Sequence, residues 1–248
     1  MNFIWLIAAK RKFRLNRHTV QAALVFSVVS VLGNFAIGRS LAEGFAAVTI
    51  MLVRTQFLFV VLMAIFFLKE KPTVSFYFGL LLILAGFISL NFRAISELSA
   101  FNTSYLWGLT AALSFASMQV YLKYQIEKIH IDETNITRLV VGAALLFMLP
   151  ATADELSQLP AGSWGLVVVA GFFGPGLSRN LQLQAFRFMQ ASRVVLYTMM
   201  TPLLAILFEV FYQGQVITSE EIWGSIFIAA GLLLPAITEL NVKWRVNR

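Results

Sequence analysis

The chain has 248 residues, of which 59% are hydrophobic and 12% charged, with a mean hydropathy of +0.79. An ordinary soluble domain carries about 25% charge, so this composition excludes one and requires a chain solvated by a lipid bilayer. The net charge of +7 then bears on which loops face the basic side of the membrane, and no nucleic acid partner is expected.

In chain order, residues 1–9 form an apolar stub too short to cross alone, followed by the basic cluster Lys10, Arg11, Lys12, Arg14 and Arg17. A secretory signal places its charges ahead of its apolar run, so the reversed order reads as the tail of a helix that begins earlier. Eight apolar windows follow, at about 20–38, 46–68, 73–90, 104–124, 136–152, 164–186, 194–213 and 222–239. The expected fold class is all-α, a polytopic transmembrane helix bundle. Alternating the loops between two sides gives one side fourteen lysines and arginines and leaves the other only Arg39 and Arg93. The crowded side is expected to be cytoplasmic, which puts the C-terminus inside. Trp107, Trp164 and Trp223 fall in the first turns of helices that rise from the opposite side, where indole rings favour the interface.

The charged turn Lys69-Glu70-Lys71-Pro72 interrupts an apolar run that then resumes. Its lysines hold the turn on the basic side, and Pro72 starts the next helix where its missing N–H costs nothing. Sliding the chain against itself by 145 residues pairs Phe66 with Phe211, Thr73 with Thr218, Gly79 with Gly224 and Gly86 with Gly231, with no gap. The same shift pairs Glu70 with Gln215, which the topology places on opposite sides. The two copies therefore run in opposite orientation, as inverted repeats do in secondary transporters.

The order of a long helix, a charged turn with Glu70 and then Gly-Leu-Leu-Leu-Ile-Leu-Ala-Gly resembles the EamA-type half of the drug/metabolite transporter superfamily, as does the start of the second copy, LWGLTAALSFASMQVYLKY. That resemblance implies two repeats of five helices, here 1–92 and 104–240. The family pattern places a proline thirteen residues before the Glu; the first copy keeps Glu70 with Phe57 at the proline position, and the second keeps Pro202 with Gln215 at the Glu position. Counting back 145 residues from Ser104 puts the start of the first repeat some 41 positions ahead of Met1. Within the resemblance, the chain is expected to lack the first helix and most of the second.

Charged or polar side chains inside the bilayer need a reason, since a central Arg costs about 2.5–3.5 kcal/mol on insertion scales. Arg54 sits roughly 12 Å below the outer surface at helical rise, and Arg179 roughly 22 Å below it. Arg179 follows GFFGPG, a run that loosens a helix, and its partner at the 145-residue shift is Asn34. Ser114, Ser117 and Tyr121 share a stripe with Thr110 and are read either as substrate contacts or as helix-packing hydroxyls. Tyr197 and Thr201 complete the substrate-binding candidates. Glu209, one turn from the outer end, is read either as snorkelling to water or as pairing with Arg54 in gating or coupling. Gly79, Gly86, Gly224 and Gly231 are expected to be close-packing positions.

These residues lead to the expectation of a secondary transporter that moves a small polar metabolite by alternating access across the cell's inner membrane. The resemblance implies an amino acid or related compound as substrate. The alternative is a non-transporting truncated membrane protein or a helper that associates with another membrane protein; expected partners are the small-molecule substrate and the lipid bilayer, with a homodimer as a further possibility. A membrane-embedded enzyme is disfavoured, because His18 and His130 lie in loops without metal-ligand spacing. No cofactor and no metal are expected, and the absence of cysteine leaves no disulfide to place.

Overall fold

The computed structural model describes residues 16–96, 102–148, 158, 160–214 and 216–246. The stub at 1–9, the basic residues at 10, 11, 12 and 14, and Gln215 lie outside them. The elements are α1 (Arg17–Glu43), α2 (Ala46–Arg54), α3 (Gln56–Phe67), α4 (Val74–Leu90), the short α5 (Phe92–Ser96), α6 (Thr103–Gln125) and α7 (Ile131–Phe147). After a 3₁₀ turn at Ala161–Ser163 come α8 (Trp164–Gly171), a π-helical segment (Phe172–Ser178), α9 (Arg179–Phe188), α10 (Ala191–Thr198), α11 (Met200–Gln213) and α12 (Ser219–Val246). The fold is an all-helical bundle. Four stretches, Arg17–Glu43, Ala46–Phe67, Ala191–Tyr212 and Ser219–Thr238, are long and apolar enough to cross a membrane, and Val74–Leu90 is a shorter apolar helix.

Local sequence sets the helix boundaries. Asn16 caps α1, its Oδ1 accepting from Thr19 N at 2.6 Å, and Asn102 caps α6 by accepting from Ser104 N at 3.0 Å. Thr218 and Glu221 form a capping box at the start of α12: Glu221 Oε2 accepts from Thr218 N at 2.8 Å, and Thr218 Oγ1 accepts from Glu221 N at 3.4 Å. Gly214 closes α11 in the left-handed region, φ +66°, where a side chain would be strained.

Three of the expected spans are discontinuous, that at 194–213 breaking at Met199 between α10 and α11. The span from residue 46 breaks at Thr55, whose hydroxyl donates back to Leu52 O at 2.6 Å. The span from 164 is built of α8, the π-segment and α9, because Pro175 offers no N–H to the α-helical ladder.

The 145-residue correspondence is visible in the helix boundaries. α2 and α10 start at the paired residues Ala46 and Ala191, α4 and α12 start at the paired residues Val74 and Ser219, and the break at Thr55 is matched within one residue by a break at Met199. α4 and α12 pack antiparallel. The Thr238 hydroxyl donates to Ser75 Oγ at 2.9 Å at one end of the pair, and the Ser89 hydroxyl donates to Glu220 O at 2.9 Å at the other. The turn before α4 and the turn before α12 therefore lie at opposite ends of the bundle.

Buried Phe26, Phe57, Phe76, Ile83, Phe186 and Ile228 form the core, while Phe66, Leu166 and Phe211 face outward at 74%, 74% and 86% exposure. Outward apolar faces of this kind are solvated by lipid tails rather than water. Polar contacts gather at the two ends. One end joins Asn16 Nδ2 to Lys128 O at 3.0 Å, Arg187 NH2 to Ile129 O at 3.1 Å and Lys123 Nζ to Met189 O at 2.9 Å. The other joins Arg39 to Glu43 at 2.5 Å and Thr103 Oγ1 to Glu43 Oε2 at 3.0 Å. Lys123, Lys128 and Arg187 thus stand at one end and Arg39 at the other, as alternating the loops expects.

Candidate functional site

Glu70 has a structural role. Lys69 adopts a left-handed conformation, φ 54°, which turns the chain so that Glu70 reaches the start of α10. Its Oε1 accepts from Ala191 N at 2.6 Å, and its Oε2 accepts from Ser192 N at 3.2 Å and from the Ser192 hydroxyl at 2.5 Å. A carboxylate here satisfies two donors that the helix itself cannot and opposes the positive end of its dipole. The acid of the first copy thus caps the long span of the second.

The buried polar cluster forms around the π-segment. Side chains of α7 reach two carbonyl oxygens of this segment: Arg138 NH2 donates to Pro175 O at 2.8 Å, and Asn135 Nδ2 to Gly176 O at 3.0 Å, an oxygen that also accepts from Arg179 N. Asn135 Oδ1 in turn accepts from Arg138 Nε at 3.1 Å and NH2 at 2.9 Å. Asn135 is fully buried and Arg138 is 9% exposed. The Arg138 guanidinium stands 4.5 Å from the centroid of the Phe26 ring, and that of Arg179 stands 5.9 Å from the same ring. Two guanidiniums thus share one aromatic ring, a favourable setting for each but one in which they repel each other. Neither forms an ion pair among the described residues. Asp132, on the same helix as Arg138, is engaged by Asn180 Nδ2 at 2.7 Å.

From Arg179 a chain of amides crosses the bundle. Arg179 NH1 donates to Gln182 Oε1 at 2.5 Å, Gln182 Nε2 to Gln119 Oε1 at 2.9 Å, and Gln119 Nε2 to Gln56 Oε1 at 3.1 Å. Arg138 NH1 and Arg179 NH2 carry no hydrogen-bond partner among the described residues. The cluster can therefore present two positive donor edges to a carboxylate, phosphate or similar anion.

Arg179 is the predicted site residue that joins this cluster. Asn34, its expected companion, is exposed and donates to Ser30 O of its own helix at 2.8 Å; Phe26 is the part of α1 that meets Arg179. Ser114 and Ser117 donate to Thr110 O and Leu113 O at 2.8 Å each, the helix-internal bonding that small hydroxyls adopt where no better acceptor exists. Tyr121 Oη accepts a long bond from Gln125 Nε2 at 3.5 Å. Arg54 ends α2 half-buried, and no ion pair joins it to Glu209, so the expected pairing across the central helices is not formed. Arg54 stands on α2 and Glu209 on α11, whereas the contact between the two spans is made by α3 on α10. Thr201 is exposed. Tyr197 edges a cleft of about 10 Å³ beside Arg193 and Pro235, room for about one water. A hollow of about 390 Å³ between α11 and α12 is lined by Leu203, Ile206, Ile222 and Ile226, and its Glu221 is spent in the capping box. It suits lipid rather than a polar solute.

Sequence reasoning missed Arg138, Asn135, Gln56, Gln119 and Gln182. Arg138 carried a usable signal, being a third basic residue inside an apolar window beside Arg54 and Arg179. The glutamines carried none: they are uncharged, and they lie on three different helices.

The model of the EamA-like transporter family matches residues 102–236, and that of the Triose-phosphate Transporter family matches residues 1–158. The chain is 26% identical over 248 residues to the uncharacterized transporter YoaV of Bacillus subtilis (strain 168), covering 95% of this chain and 82% of that protein. It is 25% identical over 134 residues to an uncharacterized transporter in the cobO 3' region of Sinorhizobium sp, covering 53% of this chain and 94% of that one. One crystal structure superposes with a TM-score of 0.68 at 17% identity, covering 97% of this chain and 95% of the other, a likeness of fold. Helical architecture and family models agree: the chain belongs to the EamA-like transporter family, within the drug/metabolite transporter superfamily, and is a transporter rather than an enzyme.

Proposed function

We propose that the protein moves a small anionic or zwitterionic metabolite, an amino acid or related compound, by alternating access, with Arg138 and Arg179 meeting its negative group. The observation that carries this reading is the pair of guanidiniums over Phe26, that of Arg138 buried and that of Arg179 half-buried, each with a donor edge free of described partners. Such charges are costly at membrane depth, and in membrane proteins they mark substrate paths. The adjoining π-segment supports it, since irregular backbone at this depth is stable where it lines a cavity or is held by protein. The match of residues 1–158 to a family named for triose phosphates also favours an anion.

Alternating access rests on the inverted repeats, taken as 1–92 and 104–240, two half-bundles that rock about a midplane site. The basic end, with Lys69, Lys71, Lys123, Lys128, Arg187 and Arg193, is assigned to the cytoplasm of an inner-membrane protein. The test is counterflow in proteoliposomes of the full chain, with amino acids, dicarboxylates and three-carbon phosphates as candidates. For the solute that exchanges, Arg138→Gln and Arg179→Gln should each raise the apparent KM by about 10- to 100-fold, the value of a lost charge-assisted hydrogen bond. Exchange of neutral solutes only, indifferent to both changes, would reject the reading.

A further inference from the structure

Two of the three breaks in the long helices are joined by one hydrogen-bonded chain. The first break, at Thr55, is followed at once by Gln56, and the π-segment ending at Ser178 is followed at once by Arg179. Gln56 and Arg179 are the two ends of the chain Arg179–Gln182–Gln119–Gln56. It starts on α9, crosses α6 and finishes on α3, so it runs from the second half of the molecule to the first. Every amide in it points the same way, donating toward α3 and accepting from the Arg179 side. Gln119, the middle member, is 4% exposed.

We propose that Gln182 and Gln119 are positioning residues that hold Arg179 and bind the break at Thr55 to the π-segment, so that the two breaks loosen together. Gln182 has both of its polar groups committed, its Oε1 to Arg179 and its Nε2 to Gln119, and Gln119 is likewise committed to Gln182 and Gln56. Neither amide can follow one neighbour without leaving the other, and a buried amide left without its partner is penalised. A rotation of α9 that redirects Arg179 toward a bound anion must draw on Gln182, then Gln119, then the first turn of α3. Helices α3 and α9 are discontinuous where the chain attaches, so each yields there more readily than an unbroken helix. This inference rests on the transport reading for its purpose, but its test needs no substrate.

The chain has no cysteine, so single reporters at Val53 and Leu177 can be read without background in the full-length protein in nanodiscs. The measured quantity is the rate of alkylation by a membrane-permeant maleimide. Gln182→Met removes both links and should raise the rate at both reporters, about tenfold for one lost hydrogen bond's worth of closure. Gln182→Glu keeps an acceptor that Arg179 holds ionised but has no donor for Gln119; it should speed the Val53 reporter and leave Leu177 unchanged. Gln119→Met should do the same, and Gln56→Glu, which keeps the acceptor, should change neither. A role in packing alone would make the Glu and Met replacements of Gln182 alike at both reporters. That result, or a Val53 reporter indifferent to Gln119→Met, overturns the proposal. If flux is absent while the reporters respond as expected, transport of an anion is rejected and the coupling stands.

Discussion

Gly79 and Gly231 meet backbone to backbone where α4 crosses α12: a Cβ on Gly79 would lie 2.5 Å from Gly231 O, and one on Gly231 would lie 2.6 Å from Gly79 O. Gly86 and Gly224 repeat the contact one level along, at 2.6 and 3.0 Å. The 145-residue shift turns Gly79 into Gly224 and Gly86 into Gly231, so it converts one contact into the other. This is what a two-fold axis between antiparallel helices requires. Because the neighbour at each position is a carbonyl oxygen of main chain, a methyl group cannot be accommodated by a rotamer change. Gly79→Ala or Gly231→Ala should cost about 1–3 kcal/mol, the usual range for overpacking, read as an earlier midpoint in detergent denaturation. Gly142→Ala, in α7 with nothing within 4 Å of the new Cβ, should be neutral or stabilising.

The Glu70 cap predicts a graded series. Glu70→Ala leaves Ala191 N and Ser192 N without their acceptors and should cost about 1–2 kcal/mol. Glu70→Gln keeps one acceptor oxygen but loses the charge that opposes the helix dipole, and should fall between the two. Equal stability of all three by thermal unfolding in detergent would show the cap to be without weight.

The partition of basic residues predicts which end faces which compartment. A single cysteine at Ala161 should be labelled by a membrane-impermeant thiol reagent added to intact cells, and one at Glu127 should be labelled only after the membrane is opened. The opposite pattern would reverse the orientation.

Arg54 and Glu209 are not paired, so their replacements should act independently. Arg54→Gln and Glu209→Gln are expected to combine additively in stability, within about 0.5 kcal/mol, as distant sites do. Restoration of flux in the double variant after loss in Arg54→Gln would instead reveal a pair formed in another conformation.

How much of this could be read from the letters depends on whether a feature is local. Helical spans, the turn at Lys69-Glu70-Lys71-Pro72, the paired glycines and the loosened run GFFGPG all follow from composition and short-range pattern. The repeat was legible because Thr73, Gly79 and Gly86 find partners at one shift. The break at Thr55 was not, since Val53-Arg54-Thr55-Gln56 contains neither Gly nor Pro, and a threonine whose hydroxyl bonds back to Leu52 O is no distinctive signal in a sequence. The site was the least legible part. Arg179 could be singled out by its charge, but its ring partner Phe26 and its amide partner Gln182 are chosen by how α1, α6 and α9 pack. For the stripe of Ser114 and Ser117, helical periodicity identifies a face and not what that face touches; the hydroxyls bond to their own helix, as in the helix-packing alternative.

The glycine crossing also assigns mechanical roles. The carbonyl oxygens and bare Cα positions of these contacts, with Ile83, Leu90, Ile228 and Pro235 packed beside them, leave the α4–α12 pair little room to shift. Under the alternating access proposed above, such a pair would be the stator, fixing the spacing of the two halves while displacement falls to segments that already contain joints, α2–α3 at Thr55, α8–α9 at the π-segment and α10–α11 at Met199.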